Sequence, residues 1–143
     1  MKISTKGRYA LRMMVDLAQH RTNGFIPLKD VSARQGISKK YLEQIVFCFH
    51  NSDLLSAERG AQGGYQLEKA PDQITVGDIL RRTECCLSPV PCLSCEPAGC
   101  ERRAECPTLF VWQELDRRIC EYLDSVTLQD ILDRQTAAFD YII

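Results

Sequence analysis

Six of the chain's eight cysteines, Cys85, Cys86, Cys92, Cys95, Cys100 and Cys106, fall within 22 residues, among prolines and glycine. Thiolate sulfur is the soft ligand that zinc and iron–sulfur clusters select, and four thiolates complete either kind of site. Cys92, Cys95, Cys100 and Cys106 offer such a set within one chain, with Cys85 or Cys86 in reserve. Cys92 and Cys95, with two residues between them, and another pair further on also resemble a structural zinc site, and without metal the same thiols could sense by oxidation. A disulfide framework belongs to oxidising compartments and to domains too small for a core. Clustered thiols in a reducing compartment more often bind metal or sense redox.

A second group of residues has the chemistry of a polyanion contact. Ser38, Lys39, Lys40, Tyr41 and Gln44 fall together, and Arg59 stands beside the glycines of Gly60-Ala61-Gln62-Gly63-Gly64. Hydroxyls, an amide and cations are the groups that meet phosphate oxygens and base edges in duplex DNA. The charge distribution agrees. Residues 1–70 carry six Lys and five Arg against three Asp and three Glu, a net of +5; residues 71–143 carry seven Arg against seven Asp and six Glu, a net of −6. A basic front and an acidic back fit a chain whose first half meets a polyanion and whose second half meets itself or a ligand. The glycine run is not a phosphate loop, because no Lys-Ser or Lys-Thr follows it and no helix opens after it.

The elements that must position these residues are mainly α. Ala10, Met14, Leu17 and Ala18, widened by Leu11 and Val15, predict an amphipathic helix over residues 4–20. Pro27 opens a short helix over 28–35, Gly36 supplies a permissive turn, and Ser38 caps a third helix whose buried face is Leu42, Ile45 and Val46. That is helix, tight turn, helix. After Leu54 the period changes to alternation around the glycine run, which predicts a β-hairpin, hence a wing carrying Arg59 near its tip. Thr75 with Asp78 and Thr127 with Asp130 are capping boxes, with Ile74/Ile79 and Val126/Ile131 as staples. They predict helices over 76–83 and 128–138. Between them, Val111, Trp112, Leu115, Ile119, Tyr122 and Leu123 form one broad apolar stripe on a helix over 108–124, suited to pairing across a two-fold axis or to packing on the front module.

These elements divide the chain into a winged helix-turn-helix domain (1–84), a cysteine-rich loop (85–107) and C-terminal dimerisation helices (108–143). At 143 residues the chain can bury its own core without staples. No window approaches the ~20 apolar residues of a membrane span, and Met1-Lys2-Ile3-Ser4-Thr5 does not read as a secretory signal, so no membrane and a cytoplasmic location are expected. No nucleophile is accompanied by an ordered His-carboxylate partner, so the chain is not expected to be an enzyme. His20 and His50 read as surface or capping residues, Cys48 and Cys120 as small core hydrophobes, and Tyr9, Phe47 and Trp112 as packing residues.

The run Met1 to Ala10, Gly36-Ile37-Ser38 with Tyr41-Leu42-Glu43-Gln44, Arg59 to Tyr65, and Thr127 to Ile131 together resemble the iron–sulfur-regulator family of winged-helix repressors, the IscR, NsrR and CymR type. The resemblance runs from Met1 to about residue 135. It implies a homodimer bound to double-stranded DNA, with the third helix in the major groove, the wing along the minor groove and long C-terminal helices crossing between protomers. Carried over by position, it makes Ser38, Tyr41, Glu43 and Arg59 the DNA contacts; Lys39 and Lys40 are added on charge. It further implies an iron–sulfur cluster, 2Fe–2S or 4Fe–4S, in the cysteine loop. Members with a cluster usually space three cysteines with five residues between each. Cys100 and Cys106 keep that interval, Cys95 to Cys100 is one residue shorter, the position of a histidine ligand holds Leu109, and that of a partner carboxylate holds Arg8. Two readings therefore stand: a regulator switched by a cluster on Cys92, Cys95, Cys100 and Cys106, or a cluster-free CymR-like repressor controlled by a partner protein, a metabolite, zinc or thiol oxidation.

Overall fold

The computed structural model describes residues 1–94 and 100–141. Six helices and one hairpin follow in the order α1 (Thr5–Gln19), α2 (Leu28–Gln35), α3 (Lys39–Phe47), β1 (Leu55–Glu58), β2 (Gly64–Leu67), α4 (Val76–Thr83), α5 (Leu109–Ser125) and α6 (Leu128–Asp140). Short 3₁₀ turns at Pro71–Gln73, Pro91–Leu93 and Arg103–Glu105 join them. The fold is the expected winged helix-turn-helix.

Local chemistry sets the helix ends. Ser4 Oγ accepts the Gly7 amide at 3.0 Å to start α1, and Ser38 Oγ accepts the Tyr41 amide at 3.2 Å to start α3. Between α2 and α3, Gly36 turns the chain at φ 65°, a left-handed conformation that a side chain would strain. Both expected capping boxes form: Thr75 with Asp78, and Thr127 with Asp130. The two helix starts are also tied to each other, by Val76 N–H to Val126 O at 2.8 Å and Leu128 N–H to Ile74 O at 2.9 Å. So α6, the last helix, is anchored beside α4 and packs back on α1.

The core lies beneath the helix-turn-helix. Ala10, Met13, Met14 and Leu17 of α1, Val31 of α2, and Leu42 and Ile45 of α3 are fully or almost fully buried with Phe49, Ile74, Ile79 and Leu128. Strands β1 and β2 pair antiparallel, Leu55 opposite Leu67 and Glu58 opposite Gly64. Tyr65 and Ile26 exchange backbone hydrogen bonds of 2.8 and 2.9 Å, which fasten the hairpin to the strand entering α2.

Helix α5 differs from the rest in that none of its residues is buried. It packs on α4 and on the Pro91–Leu93 turn. Phe110 and Tyr122 are 70% and 66% exposed, and Val111, Trp112 and Leu115 also face solvent. Trp112, 36% exposed, is only partly covered, and the stripe divides: Leu123 packs against Val76, Leu80 and Leu87, while Phe110, Val111, Leu115 and Tyr122 stay open. Phe47 departs further from expectation. It is 77% exposed at the last position of α3, because Val46 and Phe49 take the inward positions of that turn.

Candidate nucleic-acid interface and cysteine segment

The exposed side of α3 and the hairpin form one surface. Ser38, Lys39, Lys40, Glu43 and Gln44 are exposed, and a groove lined by Lys39, Glu43, Glu58, Gly60 and Tyr65 separates α3 from the wing. Lys39 Nζ lies 3.8 Å from Glu43, so that cation is partly committed within the helix. Among the described residues neither Lys40 nor Arg59 enters an ion pair, which leaves both free for phosphate. Arg59 follows β1, at the start of the turn that crosses to β2. Ser38 has two roles open to its hydroxyl, since capping uses it as an acceptor and leaves the O–H to donate.

Tyr41 is held differently from its neighbours. Its ring is half-buried and meets Tyr9 edge to face, with centroids 5.9 Å apart, while the Arg12 guanidinium lies 5.2 Å above the Tyr9 ring. The side chain thus braces α3 against α1, and its edge is what remains to meet a ligand.

Asp16 is a functional support that periodicity did not single out. It is 0% exposed, inside the apolar run of α1, and Arg34 clamps it with contacts of 2.6 and 3.0 Å. Gln35 adds a hydrogen bond at 2.8 Å, and the His20 ring, as the helix-end residue expected, bonds the Asp16 carbonyl at 2.9 Å. The clamp fixes α2 on α1 and so sets the platform from which α3 projects.

Of the four expected ligands, Cys92, Cys100 and Cys106 are described and Cys95 lies outside the described residues. Cys85, Cys92, Cys100 and Cys106 form no disulfide among the described residues, and Cys86 Sγ accepts the Ser88 amide at 3.3 Å. Among the described residues no three His, Cys, Asp or Glu side chains gather as a metal-holding group. The two arms of the segment are nonetheless tied: Arg103 Nη1 donates to the Cys92 carbonyl at 3.1 Å, across 11 residues. Cys106 stands at the entrance to α5, its carbonyl accepting from Leu109 N–H at 3.3 Å and its sulfur 3.4 Å from Thr108 Oγ1. The Thr108 hydroxyl, then its backbone amide and that of Leu109, hold the Cys106 thiol below its ordinary value of 9.0. That favours at Cys106 the thiolate which soft metals require, and cysteine sulfurs are the donors that an iron–sulfur centre takes. Leu109, where a histidine ligand was considered, is the first residue of α5 and brings no donor atom.

A second tie runs from the cysteine segment to the DNA-facing module. Glu84, next to Cys85, accepts Ser4 Oγ at 2.6 Å and Ser4 N–H at 3.1 Å. The start of the cysteine loop is thereby joined to the start of α1.

Residues 3–134 match the family model of Rrf2, described as an iron-dependent transcriptional regulator. The HTH-type transcriptional regulator IscR of Erwinia tasmaniensis is 38% identical over 135 residues, covering 94% of this chain and 81% of that protein. IscR of Aliivibrio salmonicida is 38% identical over 132 residues, covering 92% and 77%. Among solved structures, CymR (YrzC), the global cysteine regulator of B. subtilis, superposes with a TM-score of 0.76 at 40% identity, over 94% of this chain and 98% of that one. T. potens IscR superposes with a TM-score of 0.75 at 39% identity, over 96% and 90%. With its winged helix, its exposed α3 and its matched length, the chain belongs to the Rrf2 family of transcriptional regulators and is a DNA-binding regulator of the IscR type.

Proposed function

We propose that the chain acts as a homodimer whose affinity for its operator is controlled by an iron–sulfur cluster on Cys92, Cys95, Cys100 and Cys106. The observation that carries this reading is the position of Cys106, at the mouth of a helix whose apolar stripe stays largely exposed on the protomer. When bound, the cluster supplies an iron centre whose stability depends on oxidants and on iron supply. The protein's part is mechanical. Thiolates of the 92–106 segment drawn to a common centre would fix its two arms, which Arg103 already ties at Cys92, and with them the start of α5. If α5 pairs across a two-fold axis, its direction sets the separation of two α3 helices, which must match half-sites about 34 Å apart. An apolar groove of Leu11, Val76, Leu123, Val126 and Ile131 opens beside α5 and offers a second copy further surface to cover.

DNA contact falls to Ser38, Lys39, Lys40, Tyr41, Glu43 and Gln44 on and before α3, and to Arg59 on the wing. Lys40 and Arg59 serve phosphate; Gln44 and Glu43 have the acceptors and donors that read base edges. The test is purification without oxygen followed by an absorption spectrum and analysis for iron, sulfide and zinc. Brown protein with iron and sulfide in comparable amounts supports the cluster. Colourless protein that still binds DNA supports a regulator with another input. Stoichiometric zinc without sulfide supports a structural metal instead.

A further inference from the structure

Phe47 is the largest exposed apolar side chain on α3, 77% exposed among the described residues. A single exposed aromatic is ordinary on a protein surface. This one is distinguished by where it stands and by what holds it. Lys40, Glu43, Gln44 and Phe47 line one shallow open groove. Their spacing of three and four places them on one stripe of the helix, from its first turn to its last. The ring also has an aromatic neighbour: His50 lies parallel and offset beside it, interplanar angle 6°, centroids 6.3 Å apart. An aromatic pair aligned in this way presents a flat, pre-set apolar face at little further cost in side-chain freedom.

Resting on the DNA-binding reading above, we propose that Phe47 is a specificity-determining residue that recognises the 5-methyl group of a thymine, with His50 as its positioning residue. The surface around the ring belongs to the basic half of the chain and carries Lys40, so its partner is a polyanion. Within the major groove of duplex DNA the apolar feature that a side chain can read is the thymine methyl, and phenylalanine is among the residues that meet it. The stripe extends the whole length of α3, which suits a helix lying along the groove rather than entering it by its first turn alone. Seven residues of helix rise about 10 Å, or about three base steps, so Phe47 reads bases apart from those opposite Lys40.

The experiment uses the full chain and an operator enriched by the wild-type protein from a random duplex library. Each thymine of the enriched site is replaced in turn by uracil, which removes only the methyl group. Wild type is expected to lose about fourfold in affinity at one or two thymines per half-site, the effect of about one buried methyl. Phe47→Ala is expected to bind the parent site about fourfold to tenfold more weakly and to lose nothing more at those same thymines. His50→Ala should blunt the same discrimination and His50→Phe, which keeps a stacked ring, should restore it. Because both side chains are exposed, thermal melting should be unchanged. Equal responses of wild type and Phe47→Ala at every thymine would overturn the inference while leaving DNA binding intact. A wild type that enriches no sequence would overturn the DNA-binding reading itself.

Discussion

Asp16 shows how much of the DNA-facing geometry rests on one carboxylate. Removing a partner from a buried, multiply bonded charge leaves the other unpaired, and Arg34 here is only partly accessible to water. Asp16→Asn is therefore expected to destabilise the fold by about 2 kcal/mol, less than a fully buried pair would lose, as a lower urea midpoint with an unchanged slope. An unaltered midpoint would mean that the clamp adds nothing. At the proposed DNA interface Lys40 and Arg59 should act differently, since neither enters an ion pair among the described residues. Lys40→Ala and Arg59→Ala should each weaken operator and random DNA alike and reduce the slope of log K against log salt by about one. A loss confined to one sequence would show base reading by that residue instead.

The helices owe their boundaries to side chains a few positions away, and for that reason they were legible in the sequence. Thr75-Asp78 and Thr127-Asp130 announce α4 and α6 because the capping bonds join residues three apart. Asp16 was not legible, because its partners Arg34 and Gln35 come 18 and 19 residues later; the one signal was a lone acid inside an apolar run. Phe47 misled because Ile45 to Phe49 holds no charged or amide residue to mark which side faces out. The thiols pointed to metal by chemistry, but which of them meet depends on how residues 85 to 106 close in space.

Two element-scale predictions follow from the α6 cap and the wing. Backbone and side-chain hydrogen bonds from Thr127 hold the Asp130 carboxyl below its ordinary 3.8. A carboxyl depressed by folding contributes stability in full above that value and loses it as pH falls through the folded value. Thr127→Ala should cost about 1 kcal/mol at neutral pH, and that difference should shrink in melts taken from pH 5 down to pH 3. A difference that grows toward acid would contradict the cap. In the wing, a Cβ on Gly64 would stand 2.2 Å from the Ile26 carbonyl oxygen, which is backbone and cannot step aside. Gly64→Ala should cost about 1–3 kcal/mol and lower DNA affinity together with it, because the hairpin must leave Ile26. Wild-type melting and wild-type affinity in that variant would show that the hairpin tolerates the shift.

At the scale of the molecule, the chain divides its work between a module that buries its own core and a helix, α5, none of whose residues is fully buried. Phe110, Val111, Trp112, Leu115 and Tyr122 leave an apolar stripe exposed on α5, which the proposed homodimer would cover with the same stripe of a second copy under two-fold symmetry. Leu115→Asp should convert the assembly to monomer by sedimentation velocity and weaken operator binding more than tenfold, while α1 to α4 keep their melting transition. A dimer that survives this change would place the two-fold axis elsewhere.

Control of DNA binding by the cysteine segment is tested most directly by one titration. Protein purified without oxygen is divided, one half stripped of metal by chelation under reducing conditions, and both halves are titrated against the same selected operator in anaerobic gel shifts. At least a tenfold difference in affinity between loaded and stripped protein is expected, abolished in both halves by Cys106→Ala. Equal affinities in protein that demonstrably gained and lost its iron and sulfide would contradict the coupling of sulfur chemistry to DNA.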